Sequence, residues 1–178
     1  MTELEFWGVV DQTKDVPIDR RLTSFLRALG RLPNDQVIDF LAFFSLFRAL
    51  LDRRDIKEVS WLLSGGMGDD SFIDFRDCAV TYGRDVYRRL YMDAQSLLED
   101  DRTLDFTGES FYGRAYDALR TRLGLSDARL SLPPQRRQGQ STSSTSKPFA
   151  DAIRGCMQSW RDEGKRDVVV RVGGPTGR

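Results

Sequence analysis

Residues 37–51 read VIDFLAFFSLFRALL, and no other stretch limits the possible folds so strongly. Four phenylalanines stand at 40, 43, 44 and 47, and no glycine or proline interrupts a helix. The apolar positions run almost all the way round a 3.6-residue repeat. Such a helix belongs at the centre of a bundle, because a surface helix keeps one polar face. Asn34 is a residue type that starts helices. Asp39 and Arg48 interrupt the run too evenly for a bilayer span, which needs ~18 apolar residues in succession. The alternative is a helix that binds a partner or lies on a membrane surface. On the central reading, the rest of the chain has to supply amphipathic helices to wrap this one.

The chain has them. Thr2 and Glu5 form a capping-box pattern, and Phe6, Trp7 and Val10 mark one face of a first helix. Val16-Pro17 breaks it. Asp19 opens a second helix with Leu22, Phe25, Leu26 and Leu29 on one side and Gly30 at its end. A charged turn at 52–55 leads to a helix over 56–63, whose end gathers Val59, Trp61, Leu62 and Leu63 into an apolar cluster. Phe72, Phe75, Ala79 and Tyr82 recur at helical spacing and predict a buried face. After Gly83 come Val86, Tyr87, Leu90 and Tyr91, then a short turn from Asp93 with Leu97 and Leu98. Residues 99–107 read as an acidic, solvated loop. A last helix over 109–123 puts Phe111, Tyr112, Ala115, Tyr116, Leu119 and Leu123 inward, and Gly124 closes it. The expected fold is all-α, a compact bundle of about six helices over residues 1–130.

Pro133-Pro134 marks the boundary. Residues 131–148 are polar and low in complexity and read as a flexible linker, because they cannot bury enough apolar area to offset ordering entropy. Residues 149–178 form a small appendage. Phe149, Ile153, Met157 and Trp160 lie along one side of a short amphipathic helix, and 167–172 suit one strand. A lone helix and strand are too small to fold by themselves.

Charge divides along the same boundary. The whole chain balances 27 acids with 27 bases. Residues 1–124 carry 22 acids against 17 bases, and the remainder carries 5 against 10. No global field draws the chain to nucleic acid or membrane. There is no histidine, which removes the commonest general base and the usual zinc ligand. Ser-His-Asp and Cys-His arrangements are therefore excluded. Cys78 and Cys156 stand alone without metal-ligand spacing, and Cys78 reads as a small buried residue. The first residues lack the basic start and apolar core of a signal peptide. The expectation is a cytoplasmic protein with no membrane contact and no cofactor.

The stretch over 61–84, WLLSGGMGDDSFIDFRDCAVTYGR, is the most polar junction in the chain. Gly65 and Gly66 stop one helix, since glycine takes the left-handed conformation without a Cβ penalty. Asp69 and Asp70 start the next as caps whose charge suits the positive end of the dipole. Capping, with Arg76 or Arg84 paired to a carboxylate, accounts for the polar residues. A site is the competing reading. Asp70 and Asp74 share a helix face, and with Asp69 and Arg76 they could hold a cation or polar ligand. Residues 65–68 look like a phosphate loop only superficially, lacking the lysine and the preceding strand.

The pattern W-x3-GG-x2-DD-x-F-x2-FR-x6-GR, built here from Trp61, Gly65, Gly66, Asp69, Asp70, Phe72, Phe75, Arg76, Gly83 and Arg84, resembles the bacterial family catalogued as domain of unknown function 4240. Phe6-Trp7 matches that family's opening. Asp93, Ser96 and Leu97 resemble its D-P-x-S-L turn with Ala94 in place of proline, and 109–124 resembles its last helix. Cys78 stands where tryptophan is usual. The resemblance covers about residues 1–124 and implies a helical fold without an assigned activity.

Three functions fit these observations. The first is a non-catalytic protein-interaction or regulatory module, with another protein as partner. The second is a metal-assisted hydrolase using Asp69, Asp70 and Asp74, with Arg76 or Arg84 as charge stabiliser. The third is a weak nucleic-acid binder through Arg136, Arg137, Arg154, Arg161 and Arg166. The ligand or partner candidates are Trp61, Gly65, Gly66, Asp69, Asp70, Asp74, Arg76 and Arg84.

Overall fold

The structure, a computed structural model, describes residues 1–99, 105–106, 111–124 and 158. The chain divides into two compact units, Met1–Leu132 and Pro133–Arg178. The linker at 131–148, the apolar stripe and strand expected in 149–178 and the tail arginines lie outside the described residues.

The first unit contains α1 (Glu3–Asp11), α2 (Ile18–Gly30), α3 (Asn34–Leu50), α4 (Arg54–Ser64), α5 (Asp69–Thr81), α6 (Arg84–Met92), a 3₁₀ turn (Ala94–Leu97) and α7 (Phe111–Arg122). This is the expected all-α bundle, with seven α-helices and no strand among the described residues. No described helix is long and apolar enough to cross a membrane.

Helix α3 lies at the centre, with α1, α5 and α7 packed against it. Phe40, Leu41 and Phe44 are fully buried, and Phe47 nearly so. Rings from four other helices close on it. Centroids are 4.7 Å apart for Phe6–Phe40 and for Trp7–Phe47, 5.4 Å for Phe25–Phe40, 5.3 Å for Phe47–Tyr87 and 5.9 Å for Phe44–Tyr112. These separations suit the offset and edge-on contacts that aromatic quadrupoles favour.

Local chemistry sets the ends. Thr2 and Glu5 form the capping box at the start of α1. Pro17 and Pro33 precede α2 and α3 with φ of −50° and −57°, values that the ring imposes and that lead into a helix. Gly83 joins α5 to α6 at φ 88°. A Cβ there would collide with the Asp11 carboxylate and crowd Lys14. Glycine is thus required twice at that position, for its dihedral and for the close approach of α1.

Candidate functional site

Most of the motif residues, from Trp61 to Arg76, fall on the hairpin of α4 and α5, and Gly83 and Arg84 follow it. Gly65 ends α4 in the left-handed conformation, φ 65° and ψ 21°. Its N–H and that of Gly66 both donate to Trp61 O. Carbonyls left over at the helix end are satisfied within the turn. The Trp61 indole lies close by, with Nε1 4.0 Å from where a Gly66 Cβ would stand.

Asp69 and Asp70 do not cap α5. The N-cap is Gly68, with extended backbone and no side-chain bond, and the two aspartates occupy the first turn. One register step separates expectation from outcome: Gly68 already has the cap conformation, so the acids contribute charge to the dipole instead. Asp69 reaches across the hairpin to Lys57 Nζ at 2.6 Å, and this ion pair holds its carboxyl below the usual range. Asp70 is exposed and Asp74 half-buried. Among the described residues, no group of three or more His, Cys, Asp or Glu is placed to hold a metal ion. Asp69, Asp70 and Asp74 form no such cage.

Arg76 points back toward the core. Its Nη1 is 3.3 Å from Asp52, its guanidinium lies 4.8 Å over the Phe72 ring, and its Nε has no hydrogen-bond partner. Burial lowers its pKa, and Asp52 opposes the shift. Arg84 lies at the start of α6, 3.8 Å from Glu3, beyond the far end of α5 from the hairpin turn. The eight candidates therefore split. Trp61, Gly65, Gly66 and Asp69 share the hairpin tip, while Arg76 and Arg84 tie helices together.

Burial divides the apolar cluster at the end of α4. Val59 is buried, but Trp61 is 54 % exposed, Leu62 58 % and Leu63 42 %. Helical phase explains Trp61 and Leu62. The buried stripe of α4 is Ile56, Val59 and Ser60, and Trp61 and Leu62 point away from that stripe at 100° per residue. A cavity of about 480 Å³ opens along this outward side, and Arg54, Lys57, Glu58, Trp61 and Leu62 line it. The helix packs against the 3₁₀ turn. That turn is flanked by Met92, 45 % exposed, and Leu98, 46 % exposed. Leu62 shares a stripe with Asp55, two turns earlier, and Asp55 pairs with Arg53, whose Nη1 donates to Tyr91 O at 2.6 Å. Of the seven exposed large apolar side chains among the described residues, Trp61, Leu62 and Leu63 belong to α4, Met92 ends α6 and Leu98 follows the 3₁₀ turn.

Sequence reasoning missed the buried polar core. Arg48 of α3 is 3.2 Å from Asp77 of α5, and Asp77 is fully buried. Asp77 also accepts the Tyr112 backbone N–H at 3.1 Å, and Arg48 lies 4.5 Å over the Tyr112 ring. Burial pushes the Asp77 carboxyl up, while Arg48 and the Tyr112 N–H pull it back. The arrangement pins α3, α5 and α7 together. One signal could have found it: a charged residue in the most apolar helix needs a buried partner. A second buried guanidinium, Arg21, donates to Val16 O at 3.0 Å and lies 4.1 Å over the Tyr82 ring.

No curated protein and no solved structure matches this chain. A family model does match, over residues 1–120, two thirds of the chain. The motif residues, the central α3 and the all-helical bundle fall within that span, and the chain belongs to the family described as Protein of unknown function (DUF4240).

Proposed function

We propose that this domain is a non-catalytic protein-interaction module, and that it binds through the outward side of α4 and the adjoining 3₁₀ turn. One observation carries the reading: Trp61 and Leu62, 54 % and 58 % exposed, line the cavity on the outward side of α4. Exposed apolar residues scattered singly need no explanation, whereas a concentration of them marks a contact site. Tryptophan at the centre strengthens the case, since it is enriched among residues that dominate binding energy.

The test is a tagged full-length chain in a lysate of its native host, compared with Trp61→Glu/Leu62→Glu. The wild type is expected to retain a stoichiometric protein that the variant releases, with both melting at the same temperature. Equal retention by the two chains, or no retained protein, refutes the proposal.

A further inference from the structure

We propose that Asp105 and Phe106 form a clip that lifts from α5 while the bundle stays folded, with Tyr82 as its fastening and the Cys78 thiol as the group it shields.

The contacts of the clip follow one side of α5. Phe75, Cys78 and Tyr82 stand at i, i+3 and i+7 on that helix and its C-cap, and so lie in one stripe. The Phe106 ring is 4.5 Å from that of Phe75 and 5.3 Å from that of Tyr82, centroid to centroid. The Tyr82 phenol donates to Asp105 O at 2.6 Å and accepts from the Asp105 N–H at 2.7 Å. One hydroxyl thus satisfies both backbone groups of a residue outside any helix. The Cys78 thiol donates to the same Asp105 O at 3.5 Å. Asp105 is exposed and Phe106 half-buried, whereas the Cys78 and Phe75 that they touch are fully buried.

The fastening is held from the bundle side. Arg21 of α2 is buried and lies 4.1 Å over the Tyr82 ring. Its Nε donates to Val16 O at 3.0 Å and its Nη1 to Thr81 Oγ1 at 3.4 Å. These bonds fix the guanidinium without help from the clip, so the phenol stays in position when the clip is off. Burial raises the Tyr82 phenol above its ordinary 10.0, and the hydroxyl keeps the proton that it donates.

The two sides of the contact differ in how firmly they are held. A segment opens by itself where few buried contacts secure it. The contacts that fasten this one centre on a single phenol and a single half-buried ring. Helix α5 packs on α1, α3, α4, α6 and α7, and it stays in place when the clip lifts.

Alkylation of the full chain by iodoacetamide measures the release, with peptide mass spectrometry separating Cys78 from Cys156. Below the unfolding transition, the wild-type Cys78 rate should hardly change with urea, because local opening exposes little surface and global unfolding exposes much. Tyr82→Phe deletes only the hydroxyl and its two hydrogen bonds. It should raise the Cys78 rate at least about tenfold and keep the flat urea dependence. Phe106→Ala should raise the rate through loss of the ring contacts. A wild-type rate that climbs with urea as steeply as global unfolding overturns the proposal, because the thiol then opens only with the whole bundle; this measurement needs no variant. Rates that neither substitution moves overturn it too, since Asp105 and Phe106 would not be what shields Cys78.

Discussion

Replacing Arg48 by methionine isolates what the buried ion pair contributes, because the new side chain keeps the aliphatic stem and removes only the charge. Asp77 is fully buried, and its burial already raises the carboxyl above the ordinary 3.8. A carboxyl raised on folding contributes stability fully below its unfolded pKa and loses it as pH rises through the folded pKa. Arg48 holds that rise back. Without it the folded pKa climbs further, and stability is lost over a wider pH range at about 1.4 kcal/mol per pH unit. The loss has a ceiling, since the carboxyl can take up a proton. At pH 7, about three units above 3.8, that ceiling is about 4.4 kcal/mol. The wild type already carries part of it, so the substitution costs less than that ceiling. Lost stacking on Tyr112 adds about 0.5–1 kcal/mol at every pH. Thermal melts should show the variant about 10 °C below the wild type at pH 7. The gap should close to a few degrees at pH 4, where the carboxyl approaches neutrality in both folded and unfolded chains. Arg48→Met/Asp77→Leu should recover most of the loss, because it removes both charges together. An equal gap at pH 4 and pH 7 would refute the argument that Arg48 compensates a buried charge.

Two further substitutions test the frame around this pair. Phe44→Ala empties a fully buried position between Phe25, Phe40 and Tyr112 and should cost about 3–5 kcal/mol in denaturant melts; a loss below about 1 kcal/mol would put α3 on the surface. Gly83→Ala places a Cβ at φ 88° against the Asp11 carboxylate, and the strain and collision should lower stability by about 1–3 kcal/mol. The same change at Gly8, where a Cβ meets nothing within 4 Å, should leave the melt unchanged or raise it slightly.

Periodicity and stop signals made most of the bundle legible. The all-round apolar run of α3 has one stable place, and glycines at 65 and 83 end helices because their dihedrals are positive. Three things stayed hidden for physical reasons. Asp69 and Asp70 are good cap residues, but Gly68 before them takes the cap conformation, and a shift of one residue turns a cap into a first-turn charge. Trp61 and Leu62 read as part of an apolar cluster at a helix end, and only the phase set by Ile56, Val59 and Ser60 shows that they point away from the buried stripe. The Arg48–Asp77 pair joins positions 29 apart in sequence, and neither residue sits in a local pattern that names the other.

Helix α7 completes surfaces that begin far upstream. Phe111 meets Phe25 at 6.1 Å, Tyr112 covers Phe44 and donates to Asp77, and Arg122 donates to Leu32 O at 2.8 Å. A chain being synthesised cannot seal its core until this helix emerges. A polypeptide released before Phe111 would leave a buried carboxylate short of a donor and two phenylalanines uncovered. Closure of the α3 core therefore waits on α7, more than 60 residues downstream of the rings it covers.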